Sequence, residues 1–144
     1  MSTQREIKFR AWHNVEKRWI EPGWVDVRAS GTIVRHYVHR GYNIGEDKNP
    51  DYLEFSQYTG LKDKNGKEIY EGDILRIGED DEDDRAEIVK VEWLERYPRN
   101  GAEMCAFMLV GAWDKEFAHF YDYAFCGLEV IGNIYENPEL LEKK

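Results

Sequence analysis

GLKDKNGKEIYEGDIL, residues 60–75, places two glycine-containing turns around a lysine, one residue away from the spacing of a phosphate-binding loop. Such a loop needs four residues between its first glycine and a Gly-Lys pair, then Ser or Thr for magnesium, then a helix whose N-terminus faces the phosphates. Here five residues separate Gly60 from Gly66, and Glu68 follows Lys67. A glutamate there repels phosphate and carries no hydroxyl, and EIYEGDILRI alternates like a strand. The stretch therefore reads as two bends in a β protein. Asn65 and Gly66 tolerate positive φ and suit the two central positions of a type I′ turn, which makes residues 61–69 a hairpin tip. In Tyr70-Glu71-Gly72-Asp73 the glycine falls third, where a type II turn needs positive φ, and Asp73 opens DILRI with its carboxylate near free turn amides. On this reading Asp73 is a structural acceptor and not a catalytic acid.

Working outward, the same two-residue alternation recurs. EIKFRAW sets Ile7, Phe9 and Ala11 against Lys8, Arg10 and Trp12, as a half-buried strand does. HNVEKR turns it into a short strand at Trp19 and Ile20, and TIVRHYV at residues 32–38 resumes the pattern beyond the Pro22-Gly23 break. Residues 40–51 form a polar loop, and YLEFSQY leads into the two turns. From Asp73 onward, DILRI, AEIVKVEWL, MCAFMLV and LEVIGNIY are short strands separated by turns, the pattern of a small SH3-like barrel. Residues 112–126 stay open between helix and strand pair: Trp113, Phe117, Phe120, Tyr121 and Ala124 fall at helical spacing, yet so dense an aromatic run also suits strands. NPELLEKK predicts a short C-terminal helix with Asn137 as N-cap, Pro138 first and Glu139 in the first turn. The expected fold is mainly β, of α+β type, in three parts: a strand-rich subdomain over 1–58, the barrel over 59–136, and a helical tail over 137–144.

At 144 residues the chain is long enough to bury a core without staples. Nine Tyr and five Trp favour a folded β protein over a disordered one. Cys105 and Cys126 sit in apolar surroundings with no C-x-x-C, as buried free thiols of a reducing compartment do, and a disulfide between them stays open. No signal-peptide pattern and no membrane-length apolar run occurs, so a soluble cytoplasmic protein is expected. The net charge of −9 is unevenly placed. Residues 1–40 carry eight Lys and Arg against four acids, a balance of +4, and the remainder carries 12 against 25, a balance of −13. That acidic excess opposes sequence-independent binding of nucleic acid and leaves only the N-terminal third as a face for it.

That face is Arg5, Lys8, Arg10, Lys17 and Arg18 interleaved with Phe9, Trp12 and Trp19, since aromatic platforms beside positive charge hold single strands. The plainer reading is an exposed hairpin face whose cations pair with the acidic remainder of the chain. EDDEDD at 79–84 offers hard oxygen ligands but lacks the spacing and central glycine of a calcium loop, and reads as a solvated loop. His36 and His39 leave opposite faces of a strand, a poor chelating geometry, and no HExxH occurs. Cys105 or Cys126 with His119 and Asp122 has the residue types of a hydrolytic triad, although such residues more commonly belong to a core. No metal site, cofactor or catalytic set is expected.

Three blocks carry a resemblance: IKFRAW near the start, QYTGLKDKNGKEIYEGDIL in the middle and LEVIGNIYENPELL near the end, in that order and spanning nearly the whole chain. Together they resemble the YopX family of bacteriophage and prophage proteins. The resemblance implies a predominantly β fold whose later part is an SH3-like barrel, an N-terminal α+β portion, expression in an infected or lysogenic bacterium, and self-association. It carries over no activity, cofactor or catalytic residue. The expected function is a non-enzymatic protein-binding or accessory module with a host or phage protein as partner; the alternative is a nucleic-acid-binding regulator using the basic aromatic hairpin, and a hydrolase on the cysteines is a third.

Overall fold

A computed structural model describes residues 6–20, 25–27, 33–38, 42–44, 52–78, 87–99, 102–112, 117–118, 120 and 127–142, of which 25–27, 33–38, 42–44, 95–99, 102–105 and Phe117 are described as backbone only. The strands are β1 (Phe9–His13), β2 (Arg18–Trp19), β3 (Val25–Val27), β4 (Ile33–Val38), β5 (Tyr42–Ile44), β6 (Leu53–Lys62), β7 (Glu68–Tyr70), β8 (Asp73–Ile77), β9 (Glu87–Arg99), β10 (Ala102–Gly111), β11 (Phe117–Ala118) and β12 (Leu128–Asn133), followed by a 3-10 turn at Pro138–Leu141. The protein is thus mainly β. It divides into two compact units, Lys8–Ser56 and Gln57–Lys144 with Met1–Ile7.

In the Lys8–Ser56 unit, β1 lies between β2 and β6, and β3-β4-β5 form an antiparallel meander. The strict alternation expected for β1 is not what forms. Ala11, Trp12 and His13 are buried in succession, while Ile7 and Phe9 are exposed. The pairing explains the difference. β2 meets β1 only at Trp12 and His13, and there Ala11 packs with Ile20 and Leu53 while Trp12 lies edge-on to Trp19 at 5.1 Å. A strand covered on both faces loses its two-residue signature.

In the other unit, a five-stranded antiparallel sheet runs β11-β10-β9-β8-β12. Alternate residues build its core: Leu75 and Ile77, Val89 and Val91, Leu109, with Ile69 from β7, and Phe107, Leu128 and Val130 packed against them. Ile74, Met108 and Val110, of opposite parity, are also buried. The open question over 112–126 resolves in part, since Phe117–Ala118 is a strand paired with Leu109 and Val110.

The 60–75 stretch folds as two bends, with one change. Gly66 has φ 82°, but Asn65 does not have positive φ, so the turn is not type I′. It is centred one residue earlier: Gly66 N–H donates to Asp63 O at 3.0 Å and Asp63 N–H to Lys67 O at 2.8 Å. This is a three-residue hairpin loop ending on a left-handed glycine. The cause is Asp63. Its Oδ1 accepts from Asn65 N–H and Lys67 N–H, each at 2.9 Å, and its Oδ2 accepts from Val130 N–H at 3.0 Å. Beside it Lys64 N–H donates to Leu128 O at 2.9 Å, so the hairpin tip satisfies backbone groups along β12, an edge strand of the sheet. Burial pushes the Asp63 carboxyl up, but the three N–H donors and the charge on Lys67 outweigh it and hold it below the ordinary range.

The C-terminal tail also departs from expectation. Pro138 and Glu139 occupy the predicted places, yet the helix is one 3-10 turn and Asn137 makes no side-chain cap. The Asn137 side-chain oxygen turns back and accepts from Asn133 N–H at 3.3 Å, while Asn133 Oδ1 accepts from Tyr135 and Glu136. With its cap used elsewhere, a segment this short does not meet the cost of α-helix nucleation.

Replacing Asp63 with Ala leaves three backbone donors without their acceptor and is expected to cost about 2–4 kcal/mol in urea denaturation, with Asp63→Asn intermediate. Because the folded-state carboxyl is depressed, its contribution is present above the unfolded value of about 3.9 and is lost as pH falls through the lower folded value. The wild type should therefore lose more stability on acidification than the Asp63→Ala variant. Gly132→Ala puts a Cβ 2.6 Å from Asn137 Oδ1, and denaturation should show a loss of about 1–3 kcal/mol.

Candidate functional site

The second bend of the 60–75 stretch builds a cleft. Gly72 has φ 83°, and Tyr70 N–H donates to Asp73 Oδ2 at 2.8 Å, which closes the turn on a fully buried carboxylate. Three more backbone bonds pin it in place: Glu71 N–H to Gln57 O, Gly72 N–H to Val91 O and Ile134 N–H to Gly72 O, each at 2.9 Å. The glycine is required twice over, since a Cβ there would meet Ile134 Cδ1 at 3.2 Å in a backbone region that side chains rarely adopt. The turn is thereby held beside residues 90–93 of β9 and residues 134–135 beyond β12. Between them lies a cleft of about 340 Å³, with Glu71, Lys90, Glu92, Trp93 and Tyr135 in its walls.

The cleft joins charge to an aromatic surface. Lys90 and Glu92 form an ion pair. Burial pushes the Glu71 carboxyl above its ordinary value; the Gln57 N–H opposes this and the negative charge of Glu92 reinforces it. Trp93 is 44% exposed and rests edge-on against Phe107, directly opposite on β10, with ring centroids 4.9 Å apart. Carboxylates in such walls can accept from a donor or face a cation.

The basic aromatic residues of the N-terminal strands are partly brought together. The Arg10 guanidinium lies over the Trp19 ring at 4.2 Å, and Trp12 packs edge-on against the same Trp19 while only 3% exposed. Stacking a base on Trp12 would require breaking that packing. Lys8 is half-buried; Lys17 is exposed in the β1–β2 turn with φ 54°; Arg18 pairs with Glu16 at 2.5 Å. Arg5, His39, His119, Asp122, Cys126 and the acidic 79–84 run lie outside the described residues, and Cys105 and His36 are described as backbone only. Among the described residues no group of three or more His, Cys, Asp or Glu could hold a metal ion.

Sequence reading passed over Asp63 and the cleft. Asp63 carried a local signal, an Asp two residues before Asn-Gly, which is the spacing of a side chain that caps its own turn. The cleft carried none, because residues 71, 90–93 and 134–135 meet only through the sheet.

A mainly β chain with this sheet order and these glycine bends defines a small antiparallel β class, and the comparisons place it within one family. The YopX protein family model matches residues 8–142, and the chain belongs to that family. Protein EF1440 from Enterococcus faecalis is similar in structure, with 30% identity over 96% of this chain and 100% of that one and a TM-score of 0.60. Protein yopX from Bacillus subtilis shares the fold at 21% identity, over 94% of this chain and 96% of that one, with a TM-score of 0.52. No curated protein matches the chain.

The electrostatics of Glu71 give a testable sign. A carboxyl raised by folding opposes the folded state once it is ionised. Glu71→Gln keeps an acceptor for the Gln57 N–H and removes the charge, so it should raise the melting temperature at neutral pH. That gain should shrink toward about pH 4, where the wild-type carboxyl is increasingly protonated; a gain independent of pH would assign the effect to packing.

Proposed function

We propose that the protein is a non-enzymatic binding or accessory module that engages a protein partner through the Trp93 cleft. The observation that carries this reading is the half-exposed Trp93 at a cleft whose walls include a partly buried carboxylate. Exposed indoles beside well-formed pockets are the residues that dominate protein interfaces. We read the five-stranded sheet as an SH3-like barrel, supported by the order β11-β10-β9-β8-β12, in which a four-strand meander is completed by the last strand beside the first. The family resemblance supports a phage or prophage origin, a host or phage protein as partner, action in the bacterial cytoplasm, and self-association. Among the described residues no helix is long and apolar enough to cross a membrane.

The nucleic-acid alternative draws on the Arg10–Trp19 stack in β1 and β2. Against it stand the net charge of −9 and the engagement of Trp12, Trp19 and Arg18 in contacts of their own.

Immobilised wild-type protein and a Trp93→Ala variant, each incubated with nuclease-treated bacterial host lysate, separate the two readings. The expected result is a captured protein that Trp93→Ala loses while keeping the wild-type circular dichroism spectrum. Capture that depends on nucleic acid, or that Trp93→Ala leaves unchanged, would overturn the reading. So would single-stranded oligonucleotide binding at low salt that fades as salt rises and drops in Arg10→Ala.

A further inference from the structure

An asparagine followed by glycine is the dipeptide most open to spontaneous deamidation, because glycine carries no Cβ to hinder attack by its own nitrogen on the asparagine side chain. Asn65-Gly66 is such a pair. Both residues are exposed, and a Cβ at Gly66 would meet nothing within 4 Å, so no neighbouring group blocks the reaction. What opposes it is the turn itself. We propose that Asn65 is a latent modification site whose conversion the Asp63 carboxylate restrains by holding the turn closed, and that conversion releases the hairpin tip from β12.

The reaction defines what must come free. The Gly66 amide loses its proton and its nitrogen attacks Asn65 Cγ. The new N–Cγ bond closes a five-membered succinimide, the Cγ–Nδ2 bond breaks, and Nδ2 leaves as ammonia carrying a proton in place of the one Gly66 lost. Solvent water then opens the ring at either carbonyl, to aspartate or to isoaspartate, whose main chain runs through the former side chain. Water is the one co-reactant.

The closed turn obstructs the first step. Gly66 N–H donates to Asp63 O at 3.0 Å, so the attacking nitrogen is engaged. On either side, Asp63 Oδ1 holds Asn65 N–H and Lys67 N–H, each at 2.9 Å, and these bonds resist the rotation that would carry Gly66 N onto Asn65 Cγ. The negative charge of Asp63 also disfavours an amide anion beside it. Two further bonds, Val130 N–H to Asp63 Oδ2 at 3.0 Å and Lys64 N–H to Leu128 O at 2.9 Å, anchor the tip on β12. Attack therefore proceeds from a locally opened hairpin, and its rate follows the population of that state. Isoaspartate adds a backbone carbon between residues 65 and 66. Gly66 N–H and Lys67 N–H then no longer reach Asp63 together, and the tip loses the geometry that covers the edge strand.

The test incubates full-length protein in mildly alkaline buffer and follows the mass gain of the peptide containing residue 65, with isoaspartate identified by isoaspartyl methyltransferase labelling. The same chain unfolded in guanidinium chloride gives the unrestrained rate. Native wild type should convert at least about tenfold more slowly than the unfolded chain. Asp63→Ala should raise the native rate at least about tenfold, with Asp63→Asn intermediate. Val89→Ala, which opens a cavity in the sheet core away from the turn, should change the rate by less than about twofold. In the converted fraction, separated by ion exchange, the Val130 amide should exchange with solvent at least about tenfold faster. Equal native and unfolded rates would overturn the proposal, as would rates unchanged in the Asp63 variants or raised equally by Val89→Ala. Unchanged Val130 exchange after conversion would overturn the release. If circular dichroism shows Asp63→Ala unfolded, Asp63→Asn decides the comparison.

Discussion

The carboxylate of Asp63 accepts backbone hydrogen bonds from Asn65 and Lys67 in its own turn and from Val130, 67 residues further along the chain. Much of the second unit depends on that one group. The two local bonds fix the β6–β7 hairpin with its bend at Lys64-Asn65, and the third ties the hairpin tip to β12. Since β12 pairs on its other side with β8, the tip and the sheet become one hydrogen-bonded system. An ionised acceptor with three amide donors is a strong arrangement and a sensitive one, because each donor is costly to leave unpaired. The arrangement also protects the sheet. Val130 N–H and Leu128 O belong to a strand at its edge, where unpaired groups template association with other chains, and Asp63 with Lys64 occupies them.

The same economy positions the cleft. The turn after β7 is closed by Asp73 and pinned by backbone bonds to Gln57, Val91 and Ile134, so Glu71 is carried on a segment with little freedom. A carboxylate that is fixed and partly desolvated interacts more strongly with an incoming charge than one on a mobile loop, because less ordering remains to be done on binding. The left-handed backbone of Gly72 and the raised Glu71 carboxyl therefore belong to one construction: a bend that glycine alone makes easily, holding an acid where it is partly desolvated.

Where the sequence was read well, the signals were local. DILRI, TIVRHYV and the run at residues 86–94 form β8, β4 and the start of β9, and the glycines at 66 and 72 sit at positive φ as their turns require. The three family blocks were likewise legible, and the family match over residues 8–142 rests on the same chain of residues. Where the reading slipped, a particular side-chain contact had won. Asn65 lost its left-handed place because Asp63 organises the turn one residue earlier. Asn137 lost its capping role because Asn133, inside β12, takes its side-chain oxygen. Trp12, grouped by its sequence neighbours with an exposed basic face, is buried because Trp19 lies directly across from it.

The amino-acid sequence by itself determined the mainly β character, the positions of several strands and of the positive-φ glycines, the charge imbalance and the family, since each depends on periodicity, backbone freedom or composition within a few residues. Tertiary structure alone decided which carboxylates are satisfied by backbone donors and which are partly desolvated beside another negative charge. Asp63 and Glu71 lie eight positions apart on one stretch, yet one is satisfied by Val130 and the other faces Glu92. Sheet register sets those distant neighbours, and an ionisable group takes its properties from the donors and charges that register brings within reach.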